Sequence, residues 1–385
     1  FIKKKDKKNI ILNKKPINNL DKNRFYFLNN YKFFFFKRDK KIQYELNQLF
    51  KIIYFDIEIE NKYKGFIYHI KNIQYLSKKI YPIFFYYNIK YFITTSSTNI
   101  LSETVSLLRK FIKFETISYQ YSYIRKANPI MSTNVNHMFI FSNYFKKIFF
   151  NIFGKPINIY STGYLYSSLI NKYKTNIEVY KKKFNLNDKF VIGYFDENCD
   201  DDNWSLTTIF DMEKNYNILA KFVLENPKFC ILVKSQFLKN IPSILLFKNQ
   251  YIVKAIKSGR FIEFNHFTTK QILREKLYLK SLSNRNIVMP MTVALLSDIT
   301  ISEKYGATTS LETAIVGKRN IFINEKKYKS KLDKLFKKNI EFSNLEEALK
   351  RISIFKMNRY LRKSDNLGDW ENIMNRYLLY SPNVK

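Results

Sequence analysis

The chain has 385 residues, a formal net charge of +35, two cysteines and three histidines. This length suits two domains, and a hydrophobic content of 46% excludes a disordered chain. So few Cys and His residues exclude a disulfide framework and a zinc site, and we expect a reducing, cytoplasmic setting.

The positive charge is spread along the whole chain as lysine rather than gathered into one arm or stripe. We therefore do not expect nucleic acid as a partner, because nucleic-acid-binding domains concentrate basic residues on one face. We interpret the lysines mainly as solvated surface residues; the alternative is that a surface this basic attracts an anionic membrane or a polyanionic substrate. The most apolar stretch, residues 80–95, is interrupted by Pro82, Asn88 and Lys90, and falls short of the ~20 apolar residues of a membrane span. The expected location is cytoplasmic, with peripheral contact at the inner membrane face.

Residues 1–50 are basic and rich in Asn, and they give no clear pattern. From residue 90 onward the pattern alternates between strand and helix, which predicts a parallel sheet with right-handed crossovers. The elements predicted in this half are strands at 91–94, 114–119, 137–141 and 157–160 and a helix at 100–111.

Residues 171–189 are polar and strongly charged, and we predict a linker there. The α/β pattern then restarts, as expected for a second domain. Its first elements are a strand at 189–195, an amphipathic helix at 205–225 stopped by Asn226 and Pro227, and an apolar strand at 229–233.

Residues 286–324 are the most informative part of the sequence. Candidate strands at 286–289 and 298–302 flank a short helix at 292–296. A loop containing Gly306 then leads into a helix from Thr308, which Gly317 ends, and a strand at 320–324 follows. A strand that leads through a glycine loop into a helix N-terminus creates an anion site, because free backbone N–H groups and the helix dipole point at the ligand.

Side chains at the start of this helix add possible ligand contacts to the predicted anion site. Thr308, Thr309 and Ser310 supply hydroxyl donors, and the carboxylate of Glu312 in the first turn can accept hydrogen bonds from the paired hydroxyls of a ribose. The alternative is that the hydroxyls only cap the helix and Glu312 only complements its dipole. The glycine loop and the strand–helix–strand setting together favour ligand binding.

The segments 297–302 and 306–318 resemble the donor site of GT-B glycosyltransferases and their relatives. These relatives include the polysaccharide-biosynthesis proteins, the CDP-glycerol glycerophosphotransferases, lipid-A-disaccharide synthase and the UDP-N-acetylglucosamine 2-epimerases. The resemblance extends over about residues 90–350 and is specific near 297–318. It implies that the loop at Gly306 and the helix start hold the diphosphate of a nucleotide and that Glu312 holds its ribose.

Other positions follow from the same resemblance. Asp196 lies in the donor-facing loop of the second domain, and Lys234 follows the strand whose basic residue reaches the donor phosphates. Many relatives have a histidine two residues after this lysine, and this chain has Gln236 at that position. Residues 116–122 correspond to a Gln-His-Gly turn of polysaccharide-related members, which places Gln120 and Ser122 on the acceptor side.

The catalytic base is the weakest match. Tyr121 replaces the histidine of the related turn, and tyrosine is a poor base because its ordinary pKa is about 10. Glu303 is the better candidate, since it leads directly from a strand into the donor loop; the alternative is a solvated loop glutamate. Arg125 is a candidate contact for an anionic acceptor.

We therefore predict an α/β fold with two Rossmann-like domains facing across a cleft. The first covers 1–170, the second 186–355, and a C-terminal helix at 356–385 packs back across the junction. The expected function is transfer of a sugar from a nucleotide-sugar substrate to a surface polysaccharide or glycolipid, with no bound metal and no cofactor. Alternatives are a polyol-phosphate transferase, a UDP-sugar 2-epimerase-like enzyme, and an inactive basic RNA- or membrane-binding protein.

Overall fold

A computed structural model describes the central parts of the chain. The described residues are 9–11, 25–27, 44, 64–94, 100–120, 122, 135–150, 156, 158–196, 207–234, 249–264, 289–303, 308–325, 327, 338–357 and 367–370. They fall into two compact units, and the chain passes from the first to the second between Thr162 and Gly163. The domain limits inferred from the sequence stay predictions.

The first unit contains a four-stranded, fully parallel sheet in the order β3-β4-β5-β6 and a separate parallel pair, β1-β2. Its elements in chain order are β1 (Asn9–Ile11), β2 (Phe25–Phe27), α1 (Lys64–Tyr86), β3 (Tyr91–Thr94), α2 (Ile100–Leu108), β4 (Glu115–Tyr119), β5 (His137–Ile140), α3 (Asn143–Phe150) and β6 (Asn158–Ser161).

The core of the first unit lies where α1 and α2 pack against the edge of the sheet. Phe84 of α1, Phe92 of β3 and Leu108 of α2 are buried together there. The rings of Phe84 and Phe114 meet edge to face with centroids 4.8 Å apart, an arrangement that aromatic pairs prefer. Apolar residues at helical spacing in α1 and α2 thus bury one stripe of each helix.

The second unit contains a six-stranded, fully parallel sheet in the order β12-β11-β10-β7-β8-β9. Two 3-10 helices, at Leu165–Leu169 and Lys338–Ile340, accompany the main elements. Those elements in chain order are α4 (Ile170–Lys174), α5 (Ile177–Lys183), β7 (Phe190–Phe195), α6 (Ile209–Glu225), β8 (Phe229–Lys234), α7 (Gln250–Lys257), β9 (Phe261–Phe264), α8 (Pro290–Leu296), β10 (Ile299–Glu303), α9 (Thr308–Ile315), β11 (Arg319–Ile323), β12 (Glu341–Phe342) and α10 (Leu345–Met357).

The central strands β7 and β8 are buried at every position, as their almost continuous apolar sequences predict for a parallel sheet covered on both faces. Alternate residues of these strands, including Ile192 and Ile231, pack against Tyr216 and Leu219 of α6. Cys230 lies in the same strand β8, 1% exposed, and burial raises the pKa of its thiol to about 12.

Helix α6 begins later than the sequence pattern suggests, because a capping box fixes its start. The backbone N–H of Asp211 donates to Oγ1 of Thr208 at 3.0 Å, and the N–H of Thr208 donates to Oδ2 of Asp211 at 3.2 Å. These reciprocal bonds satisfy two donors that a helix N-terminus leaves open. The helix ends at Glu225, where Asn226 and Pro227 were predicted to stop it.

The segment at 171–189, where the sequence predicts a linker, is largely helical. It contains most of α4 and all of α5, and β7 begins directly after it at Phe190. Its charged residues lie mainly on exposed helical positions, while Ile177 and Leu186 are buried. A charged surface on short helices has the composition of a linker, and the sparse buried residues hide the helical period.

Two predicted elements fall outside the described residues. Of the candidate strand at 286–289, the structure describes Met289 alone, which precedes α8. Of the predicted C-terminal helix at 356–385, it describes the end of α10 and residues 367–370. Within the described part, no helix is long and apolar enough to cross a bilayer.

Candidate functional site

Four neighbouring strands of the second sheet carry ionisable side chains at their carboxyl ends. In a parallel sheet these ends meet at one edge, which is where open α/β sheets bind ligands. In the sheet order β10, β7, β8 and β9, the residues are Glu303, Asp196, Lys234 and Glu263. Because successive residues of a strand point to opposite faces, these side chains divide between the two faces of the sheet.

Lys234 is 3% exposed and lies on the face of the sheet that α8 and α9 cover. Burial lowers the pKa of its ammonium group to about 8, while the charges of Asp196, Glu263 and Glu312 act in the opposite direction. A buried lysine with acidic neighbours is still mainly protonated at neutral pH. It therefore keeps a positive charge at the carboxyl edge of the sheet.

Asp196 and Glu263 lie on the opposite face, toward α6. The hydroxyl of Tyr216 donates to Oδ2 of Asp196 at 2.9 Å, and burial, followed by the charge of Asp196, raises the pKa of Tyr216 well above its ordinary value. Tyr216 thus remains a hydrogen-bond donor. Burial and then the charge of Asp196 raise the pKa of Glu263 to about 7, against the opposing charge of Lys234.

Glu312 lies in the second turn of α9, one turn later than the sequence interpretation placed it, and is 8% exposed. Its Oε1 accepts a 2.5 Å hydrogen bond from the hydroxyl of Tyr164, whereas its buried Oε2 has no hydrogen-bond partner in the described part of the chain. Burial raises the pKa of Glu312 to about 7, and the Tyr164 hydrogen bond, the charge of Lys234 and a hydrogen bond from the Met291 backbone oppose that rise. A buried carboxylate oxygen without a partner is costly, which points to a ligand that donates to it.

The hydroxyls at the start of α9 have different surroundings. Thr308 and Thr309 open the helix and are half-buried. The Ser310 hydroxyl is buried and hydrogen-bonded to Ser302 of β10. Ser310 therefore joins the helix to the sheet, and the anion-binding role of Thr308 and Thr309 stays a prediction.

Glu303 does not share the face of Glu312. It follows Ser302, which contacts α9, so its side chain points to the opposite face, where Nδ2 of Asn215 lies 3.3 Å from its Oε1. The structure groups Glu303 with the acidic residues on the α6 side. Its predicted catalytic role has no support from this placement and stays a prediction.

Among the acceptor-side candidates, Gln120 and Ser122 are described, whereas Tyr121 and Arg125 lie outside the described residues, as does Gly306 of the donor loop. Gln120 follows β4 in the first unit and is 1% exposed. Its Oε1 accepts from the backbone N–H of Phe141 at 3.0 Å, so this oxygen links β4 to the segment after β5. Ser122 is half-buried.

Sequence reasoning missed Tyr164, Tyr216 and Glu263. For Glu263 a signal existed, since an acidic residue between the apolar residues of the strand Phe261–Phe264 is unusual. Tyr164 and Tyr216 carry no such signal, because buried tyrosines are common core residues. Within the described residues, no group of three or more His, Cys, Asp and Glu side chains is arranged to hold a metal ion.

Comparison with known proteins gives a result at the level of structure. Neither a protein-family model nor a curated protein sequence matches the chain. The UDP-GlcNAc 2-epimerase from Neisseria meningitidis, solved with UDP-GlcNAc bound, matches with a TM-score of 0.50 at 11% identity, over 79% of this chain and 77% of the epimerase. The fold is GT-B-like.

Two further solved structures are similar at lower scores. A glycosyltransferase from Rickettsia africae matches with a TM-score of 0.48 at 15% identity, over 84% of this chain and 80% of the transferase. The wall teichoic acid polymerase TagF matches with a TM-score of 0.46 at 15% identity, over 76% of this chain and 70% of the polymerase. The epimerase match confirms the predicted α/β fold built from two parallel-sheet units and the GT-B resemblance at the level of fold.

Proposed function

We propose that this chain is a glycosyltransferase that takes a sugar from a nucleotide-sugar and transfers it to a surface polysaccharide or glycolipid. The observation that carries the proposal is the buried carboxylate of Glu312, whose Oε2 lacks a partner in the described residues beside the start of α9. Fold alone does not fix function, whereas the residues at the carboxyl edge of the second sheet have the chemistry that nucleotide binding requires.

The carboxylate of Glu312 suits the ribose of a nucleotide. An ionised carboxylate only accepts hydrogen bonds, and ribose presents adjacent hydroxyl donors. Because the pKa of Glu312 is about 7, a ligand that donates to Oε2 shifts the group toward its ionised form. Nucleotide binding is then expected to strengthen as pH rises through neutrality.

The charge that develops on a departing diphosphate has two stabilising partners. The N–H groups of the first turn of α9, at Thr308 and Thr309, supply the positive end of the helix dipole. Lys234 supplies a buried positive charge near Glu312. Groups fixed in advance around a developing charge lower the barrier more than mobile water does.

A thermal-shift and titration screen against UDP, CDP, GDP and CMP tests the proposal. A ligand that binds the native state raises its stability by about 2.7 kcal/mol at a hundredfold excess over Kd. We expect a shift with at least one nucleoside diphosphate, lost in Glu312→Gln and kept in the control Glu225→Gln, which alters an exposed residue of α6. Absence of any shift in the wild-type chain contradicts the proposal and favours an inactive binding protein.

A 2-epimerase-like reaction is the second candidate, because it requires acid–base groups that titrate near neutral pH. Glu263 and Glu312 both have a pKa of about 7, and Lys234 has one of about 8. Incubation with a UDP-sugar in deuterated water separates the two reactions. An epimerase incorporates deuterium at sugar C2 without an acceptor, whereas a transferase releases UDP only when an acceptor is present.

A polyol-phosphate transferase is distinguished by its products. It would select CDP in the binding screen and release CMP rather than a nucleoside diphosphate during turnover, since the transferred group carries a phosphate. Separation of the nucleotides by anion-exchange chromatography identifies which bond is broken.

A further inference from the structure

One side of α1 in the first unit carries a continuous stripe of exposed aromatic and basic side chains. Tyr68 is 69% exposed, Tyr75 56%, Phe85 53% and Tyr86 54%. Lys71 and Lys78 are exposed between them. At about 100° per residue these positions fall within roughly a third of the helix circumference. We call this set of six residues the α1 stripe.

The opposite side of α1 is occupied by the protein core. Ile80, Tyr81, Ile83 and Phe84 are buried against α2 and β3. His69 also faces α2, where its Nε2 lies 2.7 Å from Oε2 of Glu103. The helix is therefore anchored along one side, and the orientation of the stripe is fixed by packing.

The stripe differs from ordinary exposed apolar residues, which are scattered singly on soluble proteins. Four aromatic rings follow one line along a helix of 23 residues, which is about 34 Å long. Lysines alternate with the rings, and the sequence of α1 contains no Asp or Glu. Pro82 interrupts the backbone hydrogen bonding of α1 between Lys78 and Phe85, yet the rings and lysines stay on one side of the helix. An acid-free line of aromatic and cationic side chains matches a surface that is apolar beneath and anionic at its boundary.

We propose that the α1 stripe docks the protein on an anionic lipid bilayer, with α1 lying in the plane of the membrane. Tyrosine rings are well suited to the headgroup region, since their rings are apolar and their hydroxyls remain hydrated. Lysines place their chains along the apolar region and their ammonium groups at the lipid phosphates. The +35 charge of the chain adds long-range attraction to such a surface.

A single-stranded nucleic acid is the other polyanion with which lysines and aromatic rings interact. The observations favour the bilayer for two reasons. The stripe contains no arginine, the residue that stacks on bases and binds phosphate in a bidentate manner. It also lies on the outer surface of a helix, whereas single-stranded nucleic acids follow positively charged grooves.

Sedimentation of the full chain with vesicles tests the proposal. Vesicles of phosphatidylcholine mixed with phosphatidylglycerol should bind the wild-type chain, and binding should weaken at high salt and with phosphatidylcholine alone. Because one lysine near an anionic surface contributes roughly fivefold to partitioning, Lys71→Gln with Lys78→Gln should weaken it roughly 25-fold. The matched control, Lys254→Gln with Lys257→Gln on exposed positions of α7, removes the same charge and should change it less than about threefold.

The aromatic side chains need a separate control. Tyr68→Ser with Tyr75→Ser should weaken binding to anionic vesicles several-fold, whereas Phe210→Ser with Tyr251→Ser, which alters exposed rings of α6 and α7, should not. Tyr68→Trp should show quenching by brominated lipid that Phe210→Trp lacks. Circular dichroism checks that each variant is folded.

Three results would overturn the proposal. The first is that the wild-type chain does not bind anionic vesicles. The second is that both lysine pairs weaken binding equally, which would assign the binding to overall charge. The third is that the chain binds polyuridylate RNA but not vesicles, and that the α1 variants lose this RNA binding. The nucleotide screen is independent of this surface, so a failure here leaves the proposed function untouched.

Discussion

The hydroxyl of Tyr164 donates a 2.5 Å hydrogen bond to Oε1 of Glu312, joining residues that are 148 positions apart in the sequence. Tyr164 is 3% exposed and immediately follows Gly163, where the second unit begins. The bond fixes one oxygen of the carboxylate and leaves the other without a partner in the described residues. Tyr164 is thus a positioning residue for Glu312.

Replacing Tyr164 should make nucleotide binding more sensitive to pH. The Tyr164 hydrogen bond lowers the pKa of Glu312 against the effect of burial, and Lys234 acts in the same direction. Tyr164→Phe should therefore raise that pKa further above about 7. If the rise is about one unit, binding of the nucleotide found in the screen weakens roughly fivefold or more at pH 6.5 and little at pH 8.5.

Titration calorimetry at the two pH values measures this effect. Tyr166→Phe is the matched control, because its ring packs 5.6 Å from that of Tyr164 while its side chain is 43% exposed. Tyr173 also interacts with the charge of Glu312 and is left unchanged in both variants. An equal loss of affinity at both pH values would show that Tyr164 acts only by packing.

Glu263 should make the protein less stable as pH rises toward neutrality. Its pKa is about 7 in the folded chain and 4.5 for the ordinary group, so the unfolded chain loses its proton first. The contribution of Glu263 to stability therefore falls between about pH 4.5 and pH 7, the interval that separates these values. Glu263→Gln removes this contribution, whereas that of Glu312, whose pKa is also raised to about 7, is present in both chains.

Thermal melts of both chains from pH 5 to pH 8 check that sign. The melting temperature of Glu263→Gln minus that of the wild type should grow by a few degrees over this range. Glu225→Gln, on an exposed turn of α6, should follow the wild-type profile. A difference that is constant with pH would contradict the assignment.

Gly193 lies where the central strand β7 passes Ser297 closely. A Cβ at this position would lie 2.6 Å from Oγ of Ser297 and 3.0 Å from Cγ2 of Thr300. Both neighbours are buried, and the Ser297 hydroxyl donates to the Val293 carbonyl at 2.8 Å. Gly193→Ala should therefore destabilise the protein by about 1–3 kcal/mol through overcrowding.

A double-mutant cycle in urea separates this contact from other effects. Ser297→Ala removes the Oγ atom, so adding it to Gly193→Ala should recover part of the loss, with a coupling energy of about 1 kcal/mol. Strictly additive free energies would show that the loss arises from the strand backbone instead.

Trp370 anchors the last described segment to the second unit. Its indole Nε1 donates to the carbonyl of Asn320 at 2.9 Å, and its ring lies 5.2 Å from that of Phe322. Trp370→Phe should cost about 2 kcal/mol or more in the free energy of unfolding, from the lost donor and the smaller ring. Urea denaturation measures it, with Tyr251→Phe as an exposed control; an unchanged midpoint would contradict the anchoring role.

The sequence predicts the sheet of each unit well, because buried parallel strands are short apolar runs that flanking polar residues delimit. The strands around Ile192 and Ile231 are clear for this reason, and so is the helix end at Gly317, whose φ of +76° favours glycine. Lys234 is a donor-site candidate through the family resemblance, and Glu312 through its place in the helix that follows the glycine loop; their roles in binding stay predictions.

The remainder depends on contacts that local patterns do not encode. Tyr164 reaches Glu312 only through the tertiary fold, and the assignment of Glu303 to the α6 side follows from counting faces along a strand whose end the sequence leaves uncertain. The stripe on α1 was also missed, because lysines that look dispersed along the chain align only when the helix is wound.

The alkylation rate of the Cys230 thiol can measure how often the central strand that ends at Lys234 opens. A thiol reacts through its thiolate, and with its pKa raised to about 12 and its side chain 1% exposed, Cys230 is inert while β8 stays in the sheet. Cys199 lies outside the described residues and is replaced by serine for this purpose. In that background the rate of alkylation reports how often β8 separates from its neighbours, and its slowing by a bound nucleotide gives the affinity of the site without any assay of turnover.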